Sequence, residues 1–207
     1  MLLRVAIAAL VSYFLGNHNG AICVSLMMGD DVRAHGSGNA GLTNFIRSYG
    51  TGRALLVVLI DAGKAVLACL LSGLLLEPLQ LGMQGKMLGG LFVLLGHVYP
   101  ALQGFKGGKG ILSGWFIAWT VDWRVAVLIG LVFFVTYFLT KYVSLGSVLG
   151  VVAFGAGFAV FYHHDVWMWL SGILMAFLCL FAHRSNIVRL LKGEERKTDL
   201  FSKGKKQ

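Results

Sequence analysis

Charge is scarce in this chain. Asp, Glu, Lys and Arg make up only 13% of its 207 residues while 57% are hydrophobic, whereas soluble domains carry roughly 25% charged residues. With a mean hydropathy of +0.76, a water-soluble globular domain is excluded and a polytopic membrane protein expected. Acidic residues are the scarcer sign, 9 against 18 basic, which leaves a net charge of +9 to be placed on a membrane surface. Cysteine is scarce too. Cys23, Cys69 and Cys179 all lie in apolar runs without metal-ligand spacing, so they read as small hydrophobes, and neither metal nor thiol chemistry is implied. The first apolar stretch lacks a small-x-small cleavage site and has only Arg4 as an early basic residue, so it reads as a span and not as a cleaved signal peptide. Duplicated halves and fixed-period repeats are also missing, which argues against an inverted-repeat transporter.

What is present is a series of apolar runs, at residues 1–28, 54–76, 87–102, 111–121, 125–140, 142–162 and 166–182. Most approach the roughly 20 residues that a spanning helix needs. The expected fold is an all-α bundle of seven transmembrane helices, or five if the short 111–121 run and its successor form one re-entrant unit. Either number is odd, so the termini lie on opposite sides. One side then carries Arg33, Arg47, Arg53, Lys106, Lys109, Lys141 and the basic tail from Arg184, while the other holds only Arg4, Lys86 and Arg124. The positive-inside rule places the N-terminus outside and the C-terminus in the cytoplasm. The tail reads as an electrostatic anchor to anionic headgroups in preference to a nucleic-acid binder.

The polar residues gather in a few islands on the side assigned to the cytoplasm. The longest, residues 35–50, is rich in glycine, which allows close backbone approach and exposed N–H groups. Ser37, Asn39, Thr43, Asn44 and Arg47 add side-chain donors, a set suited to a phosphate or carboxylate. Residues 36–41 satisfy G-x-G-x-x-G, but a dinucleotide fingerprint needs a preceding strand in a soluble sheet, and here a membrane span precedes it. A second island, Phe105-Lys106-Gly107-Gly108-Lys109-Gly110, can wrap another anion or serve as a plain interfacial turn; it is not a Walker A loop. At residues 141–147 a span begins, where helix N-terminal amides and the Ser144 hydroxyl either bind a further oxygen or cap the helix. His183 and Asn186 stand at i, i+3 where the last span leaves the bilayer and can face one cavity, the alternative for His183 being an interfacial or C-capping residue.

Two polar features lie inside spans. Asn17-His18-Asn19 interrupts the first, and Asp61 with Lys64 marks the second, at a spacing that lets the pair neutralise itself or face a substrate. Trp115, Trp119 and Trp123 recur every fourth residue as an aromatic belt would, and Tyr162, His163, His164, Trp167 and Trp169 flank the last outer turn in the same manner.

Laid side by side, these motifs resemble the PlsY family of bacterial membrane glycerol-3-phosphate acyltransferases, over nearly the whole chain. The resemblance is carried by residues 36–44 with Arg47, by Gly96-His97 followed by residues 105–110, by Ser144-Leu145-Gly146, and by His183 with Asn186-Ile187 and Arg189-Leu190. It implies transfer of a fatty acyl group from acyl-phosphate to the 1-hydroxyl of glycerol 3-phosphate, giving lysophosphatidic acid and phosphate. Membrane lipid is the setting, and no cofactor, coenzyme A, acyl carrier protein or nucleic acid enters. It further implies a multi-pass protein of the bacterial inner membrane with a cytoplasm-facing site, an acyltransferase domain over residues 1–183 and a basic cytoplasmic tail over 184–207.

By the same resemblance, Ser37, Arg47, Lys106, His183 and Asn186 are the catalytic set. Arg47 suits bidentate phosphate binding and Lys106 a point charge near the developing oxyanion. Gly38, Asn39, Gly41, Thr43, Asn44, Gly107, Gly108, Lys109, Gly110 and Ser144 are the substrate- and phosphate-binding set. With no Ser-His-Asp or Cys-His set in view, direct attack in a ternary complex is favoured over an acyl-enzyme, a donor phosphate oxygen taking the hydroxyl proton ahead of His183. Ala40 departs from the usual proline, Leu42 from alanine, and Ala182 from an arginine whose charge Arg184 is expected to replace. Asn17-His18-Asn19 also departs from the family pattern. An H-x-x-x-x-D acyltransferase is excluded because no histidine has Asp five residues on. The alternative outside enzymology is a transporter or channel for organic phosphate, which requires a polar path through the bilayer.

Overall fold

The computed structural model describes residues 1–198, and the end of the basic tail, 199–207, lies outside the described residues. Among the described residues the regular structure is all helical: α1 Leu2–Asn17, α2 Gly20–Met27, α3 Leu42–Tyr49, α4 Ala54–Leu76, α5 Gly82–Val98, α6 Ile111–Val121, α7 Trp123–Thr140, α8 Val143–Phe161, α9 Val166–Ala182 and α10 Arg184–Leu191. Lipid offers no partners for backbone N–H and C=O groups, so long apolar runs close their hydrogen bonds internally as helices. Four helices are long and apolar enough to cross a membrane unaided, and six spans result if the bent pairs α1/α2 (43°) and α9/α10 (61°) each count as one. Helix α6 covers only about 16 Å, roughly half the hydrocarbon thickness. The expectation of seven spans therefore depends on this short helix, and length and composition support four to six.

The break between α1 and α2 falls at Asn17-His18-Asn19 and is held by named bonds. Asn19 caps α2, its Oδ1 accepting from the Ile22 N–H at 3.1 Å, as a short amide side chain does at a helix start. The carbonyls released at the break, those of Gly16 and His18, accept from Lys64 Nζ at 3.3 and 3.0 Å. The Gly20 N–H donates to Asp61 Oδ1 at 3.0 Å. Lys64 and Asp61 also pair directly at 2.7 Å, both nearly devoid of solvent exposure. Lys64 Nζ also lies 2.8 Å from His97 Nδ1, which is itself 3.4 Å from Asp61 Oδ1, so the imidazole joins the buried pair.

Small residues then let the helices close. At the crossing of α1 and α5, a Cβ on Gly16 or Gly96 would strike the backbone of the opposite helix, the small-residue packing expected inside membranes. A large core joins α4 to α9 through residues such as Leu94, Ile117, Phe158 and Met175. A separate cluster, with Ile22 and Val24 of α2, Val32, Ala40, Phe45 of α3 and Val57 of α4, seats the 35–50 island against the first two spans.

Removing one member of a buried pair strands the other charge, which costs about 3–5 kcal/mol. Asp61→Asn is accordingly expected to lower the thermal unfolding midpoint in detergent sharply, and Asp61→Asn with Lys64→Met to recover part of the loss. An unchanged midpoint for Asp61→Asn would rule out this account of the break.

Candidate active site

The glycine islands border a cavity of 480 Å³ that runs from the ends of several helices into the bundle. Its polar end is assembled from four segments. Residues 35–41 form a loop that Asn44, in the first turn of α3, pegs in place. Its Oδ1 accepts from the Ser37 N–H at 2.8 Å, and its Nδ2 donates to Val32 O and His35 O, both at 3.1 Å. Asn44 borders the cavity, but its amide is committed to the loop, so it shapes the site and is not a free ligand as expected from sequence. Ser37, Asn39, Gly41, Thr43 and Arg47 do line the cavity, whereas Gly38 does not.

The second island corrects the sequence reading more strongly. Gly107 N–H donates to Val98 O at 3.2 Å and Gly108 N–H to His97 O at 3.1 Å, so these amides tie the loop to the end of α5 and leave no donor for an anion. Neither glycine tolerates a side chain: a Cβ would collide with the His97 carbonyl or the His97 ring. Lys106 is exposed and, with Gly38 and Arg33, borders a separate shallow hollow. The lysine in the cavity is Lys109, hydrogen-bonded to Asn186 Oδ1, with Gly110 beside it. Of the two lysines of this loop, Lys109 and not Lys106 therefore places its charge in the cavity.

From the other side come Ser144, His183 and Asn186, all buried and all lining the cavity. Ser144 does not cap α8, whose cap is Tyr142 without a side-chain bond; its buried hydroxyl belongs to the cavity wall. His183 Nδ1 lies 2.8 Å from Cys179 O. A carbonyl only accepts, so Nδ1 carries the proton and Nε2 is left as an acceptor. Arg184, expected to replace the charge missing at Ala182, is exposed, donates to Phe181 O at 3.0 Å and stacks over the Phe181 ring, which removes it from the site. Arg189 lines the cavity in its stead.

Sequence reasoning missed two groups of residues. Glu195, in the tail read as an electrostatic anchor to headgroups, turns back into the cavity, where it accepts from Asn186 Nδ2 at 2.9 Å and Arg189 Nε at 2.7 Å. Burial raises its carboxyl, yet the bonds from Arg189 and Asn186 outweigh this and hold it below the ordinary glutamate value. Arg47 bonds to Thr198 of the same segment. Trp115, assigned to an aromatic belt with Trp119 and Trp123, is instead half-buried and walls the cavity, its indole N–H donating to Ala126 O at 2.9 Å; the other two are exposed as a belt requires. The only early signal for Glu195 was an acid within a basic stretch.

Electrostatically the polar end is an anion trap. The N-termini of α3, α6 and α8 border it at Leu42, Ile111 and Val143, each offering unpaired amides and a positive dipole end. Arg47, Lys109, Arg189 and Arg196 supply full charges against Glu195 and the deeper Asp61. The other end is apolar, walled by Trp115, Phe133, Phe134, Val151, Phe154 and Met175. One cavity thus pairs a phosphate-sized cationic mouth with a hydrocarbon-lined arm.

A family model for glycerol-3-phosphate acyltransferase matches residues 6–193. The chain belongs to this family. A glycerol-3-phosphate acyltransferase of Neisseria meningitidis serogroup C (strain 053442) is 39% identical over 191 residues, 92% of this chain and 95% of that one. One from Finegoldia magna is 37% identical over 196 residues, 94% and 96% of the two chains. Among solved structures, PlsY, an integral membrane glycerol 3-phosphate acyltransferase, superposes in its glycerol 3-phosphate form with a TM-score of 0.85 at 29% identity, covering 96% of this chain and 99% of that one. Its lysophosphatidic acid form gives a TM-score of 0.81 at 30% identity, covering 94% and 95%. The family match ends just before Glu195.

For this glycerol-3-phosphate acyltransferase, anion affinity carries a pH signature. Burial, then the neighbouring Arg189 and Arg47 charges, push Lys109 down to about 8 against the pull of Glu195, so its positive charge is present below that pH and lost above it. Affinity for sulfate, whose own charge is constant in this range, should weaken above pH 8 by up to about tenfold per unit. Lys109→Arg should flatten the profile, and Lys106→Met should leave affinity within about threefold. Isothermal titration across pH 6.5 to 9.5 reads all three, and a steep profile in Lys109→Arg would refute the assignment.

Proposed function

We propose that this acyltransferase moves a fatty acyl group from acyl-phosphate to the 1-hydroxyl of glycerol 3-phosphate, releasing lysophosphatidic acid and phosphate, in the first step of phospholipid synthesis. The observation that carries this reading is the continuity of the cationic mouth with the apolar arm in one cavity. A donor that is phosphate at one end and hydrocarbon at the other fits that shape, and the cluster of Arg47, Lys109 and Arg189 offsets the repulsion between two phosphates brought together. The glycerol 3-phosphate and lysophosphatidic acid forms of the solved neighbours support the acceptor and the product.

In the proposed step the acceptor hydroxyl attacks the acyl carbonyl directly within a ternary complex. The carbon–oxygen bond to phosphate breaks, and a donor phosphate oxygen takes the hydroxyl proton as phosphate leaves. Ser37 and the first helix amides orient one phosphate, Arg47 clamps it, and Lys109 with the Ser144 hydroxyl meets the charge that develops on oxygen. His183, its Nε2 open as an acceptor, orients the hydroxyl, and Asn186 holds Lys109 in place. Relative to the bilayer, the mouth faces the cytoplasm of a bacterial inner membrane, with the N-terminus outside and the tail inside, a reading supported by the excess of Lys and Arg around the mouth. Residues 1–183 form the membrane domain, and the tail from 184 supplies Arg189 and Glu195 to the same mouth.

A transporter is disfavoured by the fate of the polar groups inside the spans. Asn17 donates to Tyr13 O at 2.8 Å and accepts from Leu102 N–H at 2.9 Å, Asn19 bonds Ala40 O and Ile22 N–H, and Asp61 and Lys64 satisfy each other and the helix break. Asp61 borders the deep end of the cavity, but each of these groups is committed to a partner within the bundle, which disfavours a polar path across it.

Purified protein in detergent, given glycerol 3-phosphate with palmitoyl-phosphate, should form lysophosphatidate, and with palmitoyl-CoA it should not. Product from the thioester alone overturns the donor; product from neither overturns the transferase reading. In His183→Gln, the pH–rate profile should keep its shape with a rate loss of roughly a hundredfold. Loss of the basic limb together with a fall of several orders of magnitude would make His183 the base.

A further inference from the structure

The apolar arm of the cavity has a fixed floor and an unfilled side wall. It follows one face of α8 from Ser144 past Ser147 and Gly150 to Phe154, a descent of about 15 Å along the helix. Phe154, only 5% exposed, is the last residue of α8 to line it. Its ring packs on Phe158 with centroids 5.0 Å apart, and Phe158 is itself fully buried. Behind Phe158 stands Gly172 of α9, placed so close that a Cβ there would collide with the Phe158 side chain at 2.6 Å. The floor therefore has nowhere to retreat, because a close-packed interior does not yield by a methylene without strain.

Opposite, Trp115 is locked by its bond to Ala126 O, and a Cβ on Gly130 would meet its ring at 3.4 Å, so that wall is already filled. Gly114, one residue before Trp115, differs. It is buried and lines the cavity, yet a Cβ built on it meets no atom within 4 Å. A side chain there would project into the arm.

We propose that Phe154 and Gly114 together set the acyl-chain length the enzyme accepts, Phe154 as the floor that stops the chain and Gly114 as the gap that lets it pass. The inference rests on the reading of the arm as the acyl site. A chain too long for the floor must bend or leave methylenes outside, and one too short leaves the arm unfilled; a single methylene in such a pocket is worth about tenfold in discrimination.

The test is kcat/KM for a ladder of saturated acyl-phosphates from dodecanoyl to icosanoyl, each with saturating glycerol 3-phosphate. Phe154→Ala should move the optimum to longer chains and raise the icosanoyl-to-dodecanoyl ratio about tenfold or more. Phe154→Leu, which keeps more of the core, should shift it the same way by less. Gly114→Val should shift it to shorter chains, and KM for glycerol 3-phosphate should stay unchanged in all three. Should Phe154→Ala fail to fold, the opposite signs of Phe154→Leu and Gly114→Val decide the matter. A uniform loss across the ladder with the ratio unmoved overturns the proposal while leaving the transfer reaction intact. No transfer from any acyl-phosphate by the unaltered enzyme overturns the reading of the site, and the inference with it.

Discussion

Everything at the mouth of this protein hangs on a break in its first membrane helix and on the buried charges that stabilise it. An interrupted helix in lipid exposes backbone groups that no water can satisfy. Lys64 answers the freed carbonyls of Gly16 and His18, Asp61 answers the Gly20 amide, and each answers the other. Two connections lead from there to the site. His97 joins the buried pair, and its carbonyl receives the Gly108 amide, which fixes the 105–110 loop. Asn19 donates to Ala40 O at 3.0 Å, which fixes the 35–50 loop. The departure from proline at Ala40 is thus met locally: the residue is fully buried and its carbonyl is held.

The second determinant is convergence. A phosphate in the open needs little help, but the proposed reaction draws two phosphates together beside an oily chain, and that needs charge already aimed. Helix starts at α3, α6 and α8 point at one mouth, and the cations arrive from three distant parts of the sequence, at Arg47, at Lys109, and at Arg189 with Arg196. Glu195 keeps the trap from being uniformly positive, binding Arg189 and Asn186 and so setting the spacing between the groups that remain. An array of this kind does its electrostatic work before the substrate arrives, which is why preorganised donors outperform solvent.

Much of this was readable in the chain itself. Apolar runs and scarce charge gave the helices, and the glycine islands with Ser37, Arg47, His183 and Asn186 marked the mouth because lipid-embedded chains rarely carry polar clusters without use. What sequence could not rank were neighbours within one short loop. Lys106 and Lys109 are equivalent as letters, and only the amide bonds of Gly107 and Gly108 to α5 decide which side chain turns inward. Asn44 looked like a ligand because asparagine donors are interchangeable until their partners are known. Glu195 was hidden by composition, as the basic surroundings of the tail gave a sufficient explanation of the segment as an anchor. Trp115 was hidden by periodicity, since a belt and a cavity wall demand the same spacing on a helix.

The return of the chain from α10 to the mouth also bears on what holds the anion trap together. Glu195 reaches Asn186 and Arg189, and the Thr198 N–H bonds Lys141 O at 3.0 Å while its side chain meets Arg47. The anion trap is thus completed by residues that follow the last helix, so the groups that line the mouth answer to contacts made after α10 as well as to those within the membrane helices.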